Sequence, residues 1–383
     1  MSELFGTVFA RGAAAVAVSD EAWLRAMLRA EAALVEAAAE LGAVSEAAAE
    51  AVAGAARADR FDLAAVAASA ARIGNPVAGI VERLRDLVPE AHQPVVHYGA
   101  TSQDILDTAM MLVGRDAVRA LGAELRECGT AALEVAAGLE DDPQMWGRTL
   151  LQRAQPVGFG DLRRSWQQGL AEAERSLQAL RFPVSLSGPV GVSWDRRDPW
   201  RHAPETPAVA GAADDPTLAE REQRPARTLS LRERFAALLG LDAAPGSWHT
   251  NRGPVVRIGA AAAEAAGACG KVAVDIILLS QNEIGEVGEA RGGGSTTMAH
   301  KHNPVASTAA RACAARTPGL VATLFAAMPQ ELQRSPGLWH SEWETLSDLL
   351  CLTGSAAAWL RESLEGLQIH PEAMQRNLES GHG

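Results

Sequence analysis

The stretch Gly292-Gly293-Gly294-Ser295-Thr296-Thr297-Met298-Ala299-His300-Lys301-His302-Asn303-Pro304 joins a Gly-rich lead, hydroxyls, a basic cluster and a helix start. Glycines let a backbone close over a ligand. Ser295, Thr296 and Thr297 bring hydroxyls to it, and His300, Lys301 and His302 bring positive charge. Asn303 suits an N-cap and Pro304 the first helical position. The open amides of such a helix start attract anions. The segment reads as a hinged lid that carries a hydroxyl to an anionic substrate. Gly-Ser-Thr runs also serve as linkers, but a linker rarely ends in a basic cluster and a capped helix.

The rest of the chain gives the lid its setting. The 383 residues allow two or three domains. Ala and Leu dominate, with one Tyr and 7 Phe, which favours helix over strand. A net charge of −12 excludes general nucleic-acid binding, so local basic residues must serve any anionic ligand. Cys128, Cys269, Cys313 and Cys351 are far apart in apolar helical contexts, which predicts core thiols in a reducing compartment. The N-terminus lacks the basic and apolar regions of a signal peptide, so cytoplasmic residence is expected.

Residues 20–57 predict a long helix or helical hairpin, with Trp23, Met27, Ala30, Leu34 and Ala37 at helical spacing. Helices over 61–72 and 76–87 are split by Gly74-Asn75-Pro76. A long helix over about 102–139 follows, with Ser102 as its cap. A tight connection, Gly147 to Pro156, leads into a helix ending near 181. Pro183, Pro189, Pro199, Pro204, Pro207, Pro216 and Pro225 prevent regular helix over 183–227, which predicts an ordered loop and then an exposed insertion. Residues 254–290 predict the most apolar helix, and Glu264, Lys271 and Asp275 argue against a membrane span. A helix apolar all round must be buried, which places this one at the centre of an oligomeric bundle. Helices over 304–328, kinked at Pro318, and 337–367 precede a short one after Pro371. No strand pattern and no internal repeat is visible.

Three further constellations carry chemistry. His97-Tyr98-Gly99-Ala100-Thr101-Ser102-Gln103-Asp104 sets a histidine and hydroxyls at a helix start, an anion-binding arrangement or an ordinary capped turn. In Gly147–Pro156, Gln152 and Arg153 suit a carboxylate, the arginine bidentately. Trp248-His249-Thr250-Asn251-Arg252 reads as a structural cap network or a substrate contact. A serine base needs amides, a lysine or a helix N-terminus to stabilise its alkoxide, and the lid offers all of these around Ser295. There is no phosphate loop, no dinucleotide fingerprint and no metal-spaced His/Cys set, so neither cofactor nor metal is expected.

In this order, the segments resemble the fumarase/aspartase superfamily. Its lid pattern stands here as Gly294 to Pro304, and its early His-x-Gly-x-Thr-Ser-x-Asp pattern as His97 to Asp104. Within the superfamily the chain resembles the 3-carboxy-cis,cis-muconate cycloisomerases over His97–Thr108, Gly147–Pro156, Trp248–Arg252 and Leu324–Leu350. The resemblance implies an all-α chain with a long central bundle, assembled as a homotetramer with a 20-helix core and active sites shared by three chains. It divides the chain into an N-terminal helical domain, 1–96, and a central bundle, 97–367, with an irregular insertion at 190–227. Residues 368–383 are then the remnant of a C-terminal domain.

It further implies proton abstraction beside a carboxylate of a small polycarboxylate, followed by elimination or its reverse, without cofactor, nucleic acid or membrane. By carry-over, Ser295 is the base, with Thr296, Lys301 and His97 as further catalytic candidates. Thr101, Ser102, Gln152, Arg153, Met298 and Asn303 are the candidate substrate ligands. Leu150 and Arg153 stand where relatives carry an acid histidine, and Ala299 stands where the lid has proline. A cycloisomerase-like reaction is the leading expectation. A lyase releasing fumarate from a substituted succinate, with nitrite or an amine as leaving group, is the second. An inactive scaffold is the third.

Overall fold

The computed structural model describes residues 3–136, 138–139, 141–191, 229–294, 297–298 and 301–380. Ser295, Thr296, Ala299, His300 and nearly all of the 190–227 insertion therefore lie outside the described residues. The α-helices among the described residues are α1 (Glu3–Phe9), α2 (Ala13–Ala17), α3 (Asp20–Glu40), α4 (Glu46–Ala55), α5 (Leu63–Ile73), α6 (Pro76–Leu87), α7 (Ser102–Glu134), α8 (Phe159–Gln178), α9 (Leu231–Leu239), α10 (Gly253–Leu279), α11 (Val305–Ala326), α12 (Leu338–Glu365) and α13 (Pro371–Glu379), and all but α1, α2 and α9 fall in segments read as helical from the sequence. Local signals set several of their starts. Ser19, Ser45 and Asn75 accept from amides three residues on, and Pro76 takes the first helical position of α6. None of these helices is long and apolar enough to cross a membrane.

Residues 20–57 take the second of the two expected forms, the hairpin α3–α4 turned at Gly42. Two expectations need correction. The apolar helix stops at Leu279 instead of running to 290, because the chain turns at Gly285 with φ +59° and enters a strand. Strands do exist. β1 (Gln144–Thr149) pairs antiparallel with β2 (Gln152–Gly158), and β3 (Val287–Glu289) with β4 (Leu367–Ile369). Gly147 to Pro156 is thus a hairpin. Its turn residues Leu150 and Leu151 both have positive φ, 51° and 63°, where Asn-Gly is the usual signal.

Helices α7, α10, α11 and α12 form the central bundle, which is tied at one end by charge. Arg252, fully buried at the start of α10, donates to Asp107 of α7 at 2.7 and 2.9 Å. It also donates to Glu342 of α12 at 2.6 and 3.0 Å. The Trp339 indole and the Gln103 amide complete Asp107 (3.0 and 3.2 Å), and Gln330 completes Glu342 (2.9 Å). The 248–252 segment is therefore a structural network. Cys128, Cys269, Cys313 and Cys351 are buried and unpaired. Burial pushes Cys269 and Cys313 up to about 12 and Cys351 to about 11, which suits inert packing.

One cation between two buried carboxylates has a measurable cost when removed. Arg252→Met is expected to lose about 3–5 kcal/mol in urea unfolding, because it leaves buried charge unpaired. Burial raises Glu342 from 4.5 to about 7 against the opposing pull of Arg252. The folded chain then holds a proton there that the unfolded chain releases, so this contribution is present below pH 4.5 and lost as pH rises through 7. Unfolding curves of Glu342→Gln should show a flatter dependence across that window.

Candidate active site

The first cluster forms where α7 begins. Thr101 is the N-cap and Ser102 the first helical residue, a correction to Ser102 as cap. Asp104, fully buried, accepts from the Thr101 amide (3.1 Å), the Ser187 and Gly188 amides (2.8 and 2.9 Å), the Ser185 hydroxyl (3.1 Å) and His249 Nε2 (2.7 Å). Burial raises the Asp104 carboxyl, but His249 and the amides outweigh it and hold it below its ordinary value. This cage fixes the 185–188 segment against the start of α7.

Beside it, His97 Nδ1 lies 2.6 Å from Oε1 of Glu31, a fully buried residue of α3. Burial lowers His97, yet the charge and hydrogen bond of Glu31, with the charge of Asp104, leave it above the ordinary value. Arg334, from the connection between α11 and α12, donates to the Thr101 hydroxyl at 2.6 Å. His97, Thr101 and Ser102 are half-buried, and Arg334 is exposed. Together they present a histidine, two hydroxyls and a guanidinium, a set suited to a carboxylate.

Glu31 and Arg334 escape sequence reading. Glu31 did leave a signal, an acid within the apolar Met27–Ala30–Leu34 stripe. Arg334 sits between Pro329 and Pro336 with no periodicity to mark it.

The second cluster is at the far end of the bundle. Hairpin β1–β2 exposes Gln152 and Arg153, with Leu150 96% and Leu151 69% exposed at its tip. Arg148 anchors it through a bidentate pair with buried Glu286 (2.8 and 2.9 Å). Asn377 of α13 donates to the same Glu286 at 2.9 Å, and its carbonyl accepts from Trp146 at 2.9 Å. With β4 paired to β3, the C-terminal segment thus braces both the hairpin and the strand that leads into the lid.

The lid itself is pinched at its neck. Gly293 and Asn303 exchange backbone hydrogen bonds at 2.9 and 3.0 Å, and the Asn303 side chain adds a third at 3.2 Å. Lys301 and Met298 are exposed on the loop so formed. Two expectations fail here. Pro304, not Asn303, is the N-cap of α11. Its first amides are not open to a ligand, because Glu289 accepts from Ala306 and Ser307 at 3.0 and 2.9 Å. The anion at this helix start is the protein's own, and the lid must draw its positive charge from side chains.

Helix α10 has 27 residues, about 40 Å at 1.5 Å per residue, and it separates the two ends. Arg252 and His249 mark the His97 end, while Glu286 and Glu289 mark the lid and hairpin end. One chain therefore brings His97, Thr101 and Ser102 together, and brings the lid neck near the hairpin, but does not join the two sets.

A family profile described as "Lyase" matches residues 3–193 and 212–319. The chain belongs to the fumarase/aspartase superfamily of lyases. It is 41% identical to the nitrosuccinate lyase of Streptomyces davaonensis over 374 residues, 95% of this chain and 74% of the relative. It is 36% identical to the 3-carboxy-cis,cis-muconate cycloisomerase of Pseudomonas putida over 389 residues, 100% of this chain and 86% of the relative. The crystal structure of the 3-carboxy-cis,cis-muconate lactonizing enzyme from Pseudomonas putida overlays with a TM-score of 0.83 at 34% identity, covering 99% of this chain and 80% of that one. The all-α expectation and the superfamily assignment both hold, and the chain is an enzyme of this lyase type.

Glu289 gives a direct check on the lid neck. Glu289→Ala orphans two amides at the start of α11 and should cost about 1–2 kcal/mol in urea unfolding, as loss of a helix cap does.

Proposed function

We propose that the protein removes a proton from the carbon beside a carboxylate of a small polycarboxylate and expels, or in reverse adds, an anion on the neighbouring carbon. The observation that carries this is a hairpin tip with no titratable acid, Leu150 and Arg153, in a chain that also builds the anion-binding set of His97, Thr101, Ser102 and Arg334. A leaving group that departs as a stable anion needs no proton. In the elimination direction the C–H bond breaks and its proton goes to Ser295. The electron pair moves into the carboxylate as an aci-carboxylate, then returns to form C=C as the leaving group departs with its own pair. Lys301, Arg334 and His97 stabilise that charge, assisted by Thr296. Thr101, Ser102, Gln152, Arg153, Met298 and Asn303 hold the remaining groups.

Relatives spanning the whole chain support 3-carboxymuconate as the first substrate, its own carboxylate being the group that adds or leaves. The 41% identity to a nitrosuccinate lyase favours a second reading, nitrosuccinate cleaved to fumarate and nitrite. Loss of ultraviolet absorbance from 3-carboxymuconate, beside fumarate and nitrite release from nitrosuccinate, decides between them. Turnover of neither by folded protein overturns both. Ser295→Ala is expected to lower kcat at least about 100-fold on whichever is turned over.

The working form is a cytoplasmic homotetramer whose sites draw on three chains. In that form 97–367 carries the chemistry, 1–96 supports His97 through Glu31, and 368–383 braces the hairpin. Three observations support this. The two clusters stand about 40 Å apart on one chain. Thr308, Ala312, Ala315, Gly319, Ala322 and Ala326 leave an exposed small-residue stripe of alternating four- and three-residue spacing along α11. A matching exposed stripe, Arg257, Ala260, Glu264, Gly267 and Lys271, runs along α10, which one chain leaves half uncovered. Mixing Ser295→Ala with Arg334→Ala chains and reassembling them should restore activity that neither has alone. No recovery from mixed tetramers overturns the shared site.

A further inference from the structure

We infer that Glu31 is a positioning residue that makes His97 a fixed, cationic hydrogen-bond donor for a substrate carboxylate, on the reading above that His97 belongs to the anion-binding cluster. Glu31 lies on the apolar face of α3 and is fully buried. Its Oε1 is 2.6 Å from His97 Nδ1, and its Oε2 is buried with no partner among the described residues. Among the described residues the imidazole is therefore the only group bonded to this carboxylate, and a buried charge left uncompensated is costly. That bond assigns a proton to Nδ1 and turns Nε2 away from the pair. The side chain of His97 is 15% exposed, so part of the ring remains accessible.

The backbone tells the same story. His97 has φ +67°, in the left-handed region that residues with a Cβ seldom enter. The turn is closed by the Ala100 amide donating to the His97 carbonyl at 3.2 Å. A histidine that only satisfied a core glutamate would need neither a strained backbone nor an accessible part of its ring. Clamping the ring at backbone and Nδ1 leaves Nε2 a single direction, the arrangement that holds an imidazole in one tautomer in other acid–base sites.

The charges around the ring come from three helices. Glu31 on α3 and Asp104 on α7 favour the protonated form, and Arg85 on α6 opposes it, as burial does. Asp104 is already committed to His249, Ser185 and three amides. Glu31 is thus the one partner devoted to His97. A protonated ring then offers Nε2–H to a carboxylate as a charge-assisted bond, the stronger kind. No bond to His97 is made or broken in this role.

The test uses the full chain labelled with 13C-histidine, with His97 assigned by His97→Gln. His97 should titrate above about 6.5 in the parent protein and at least one pH unit lower in Glu31→Gln, with Glu31→Asp between them. Fumarate, as a probe dicarboxylate, should shift the His97 resonance. Its affinity should fall about tenfold in Glu31→Gln at pH 7.5 and match the parent at pH 5, where both rings are protonated. A merely structural glutamate would weaken folding without this crossing of the pH profiles. A parent His97 that titrates at or below 6.5, an unchanged titration in folded Glu31→Gln, or a His97 resonance indifferent to fumarate overturns the inference. Should Glu31→Gln fail to fold, the parent titration and Glu31→Asp decide it. None of these readouts requires turnover, so they stand apart from the outcome of the substrate assays.

Discussion

Arg252, enclosed by Asp107 and Glu342, is the contact on which the rest of this end of the molecule depends. It pins α7, α10 and α12 at one level, since a guanidinium fork can face two carboxylates only in a narrow range of registers. With α10 so placed, His249 three residues earlier reaches Asp104 at 2.7 Å. Asp104 in turn gathers the Thr101, Ser187 and Gly188 amides. The proposed carboxylate-binding face at Thr101 and Ser102 is thus the outer surface of a caged charge network. An apolar core could give equal stability, but it would not fix register so closely.

The opposite end uses the same device with different residues. Glu286 holds Arg148 of the hairpin and Asn377 of α13, and Glu289 occupies the start of α11. Both carboxylates sit at the root of the lid, where each pins a neighbouring element to β3. These acids are committed to structure at both ends, and among the described residues Lys301, Arg153 and Arg334 lie outside these cages. This is how a chain of net charge −12 can present basic groups to a polycarboxylate.

Length imposes the remaining constraint. A 27-residue helix keeps the two ends about 40 Å apart, and no loop among the described residues shortens that distance within a chain. The exposed small-residue stripe on α11 suits close helix packing. Leu150 is 96% exposed at a hairpin tip held in a strained left-handed turn, as the proposed completion of the site by neighbouring chains requires.

The sequence by itself determined the helical class, most helix boundaries and the order of the lid, histidine and hairpin motifs, because periodicity, caps and proline act over a few residues. It placed α6 at Pro76–Leu87 to the residue, where Asn75 and Pro76 both signal a start. It missed the β1–β2 hairpin, since Leu150-Leu151 carries none of the usual turn chemistry and only pairing with distant anchors holds it. It took Asn303 for a cap because Glu289, the group that caps α11, comes from another element. Only the tertiary structure decided that Glu31, 66 residues before His97, bonds to it, and that Arg334, 233 residues after Thr101, meets its hydroxyl. Contacts across such separations leave no local pattern, because they arise from the packing of whole helices rather than from neighbouring residues.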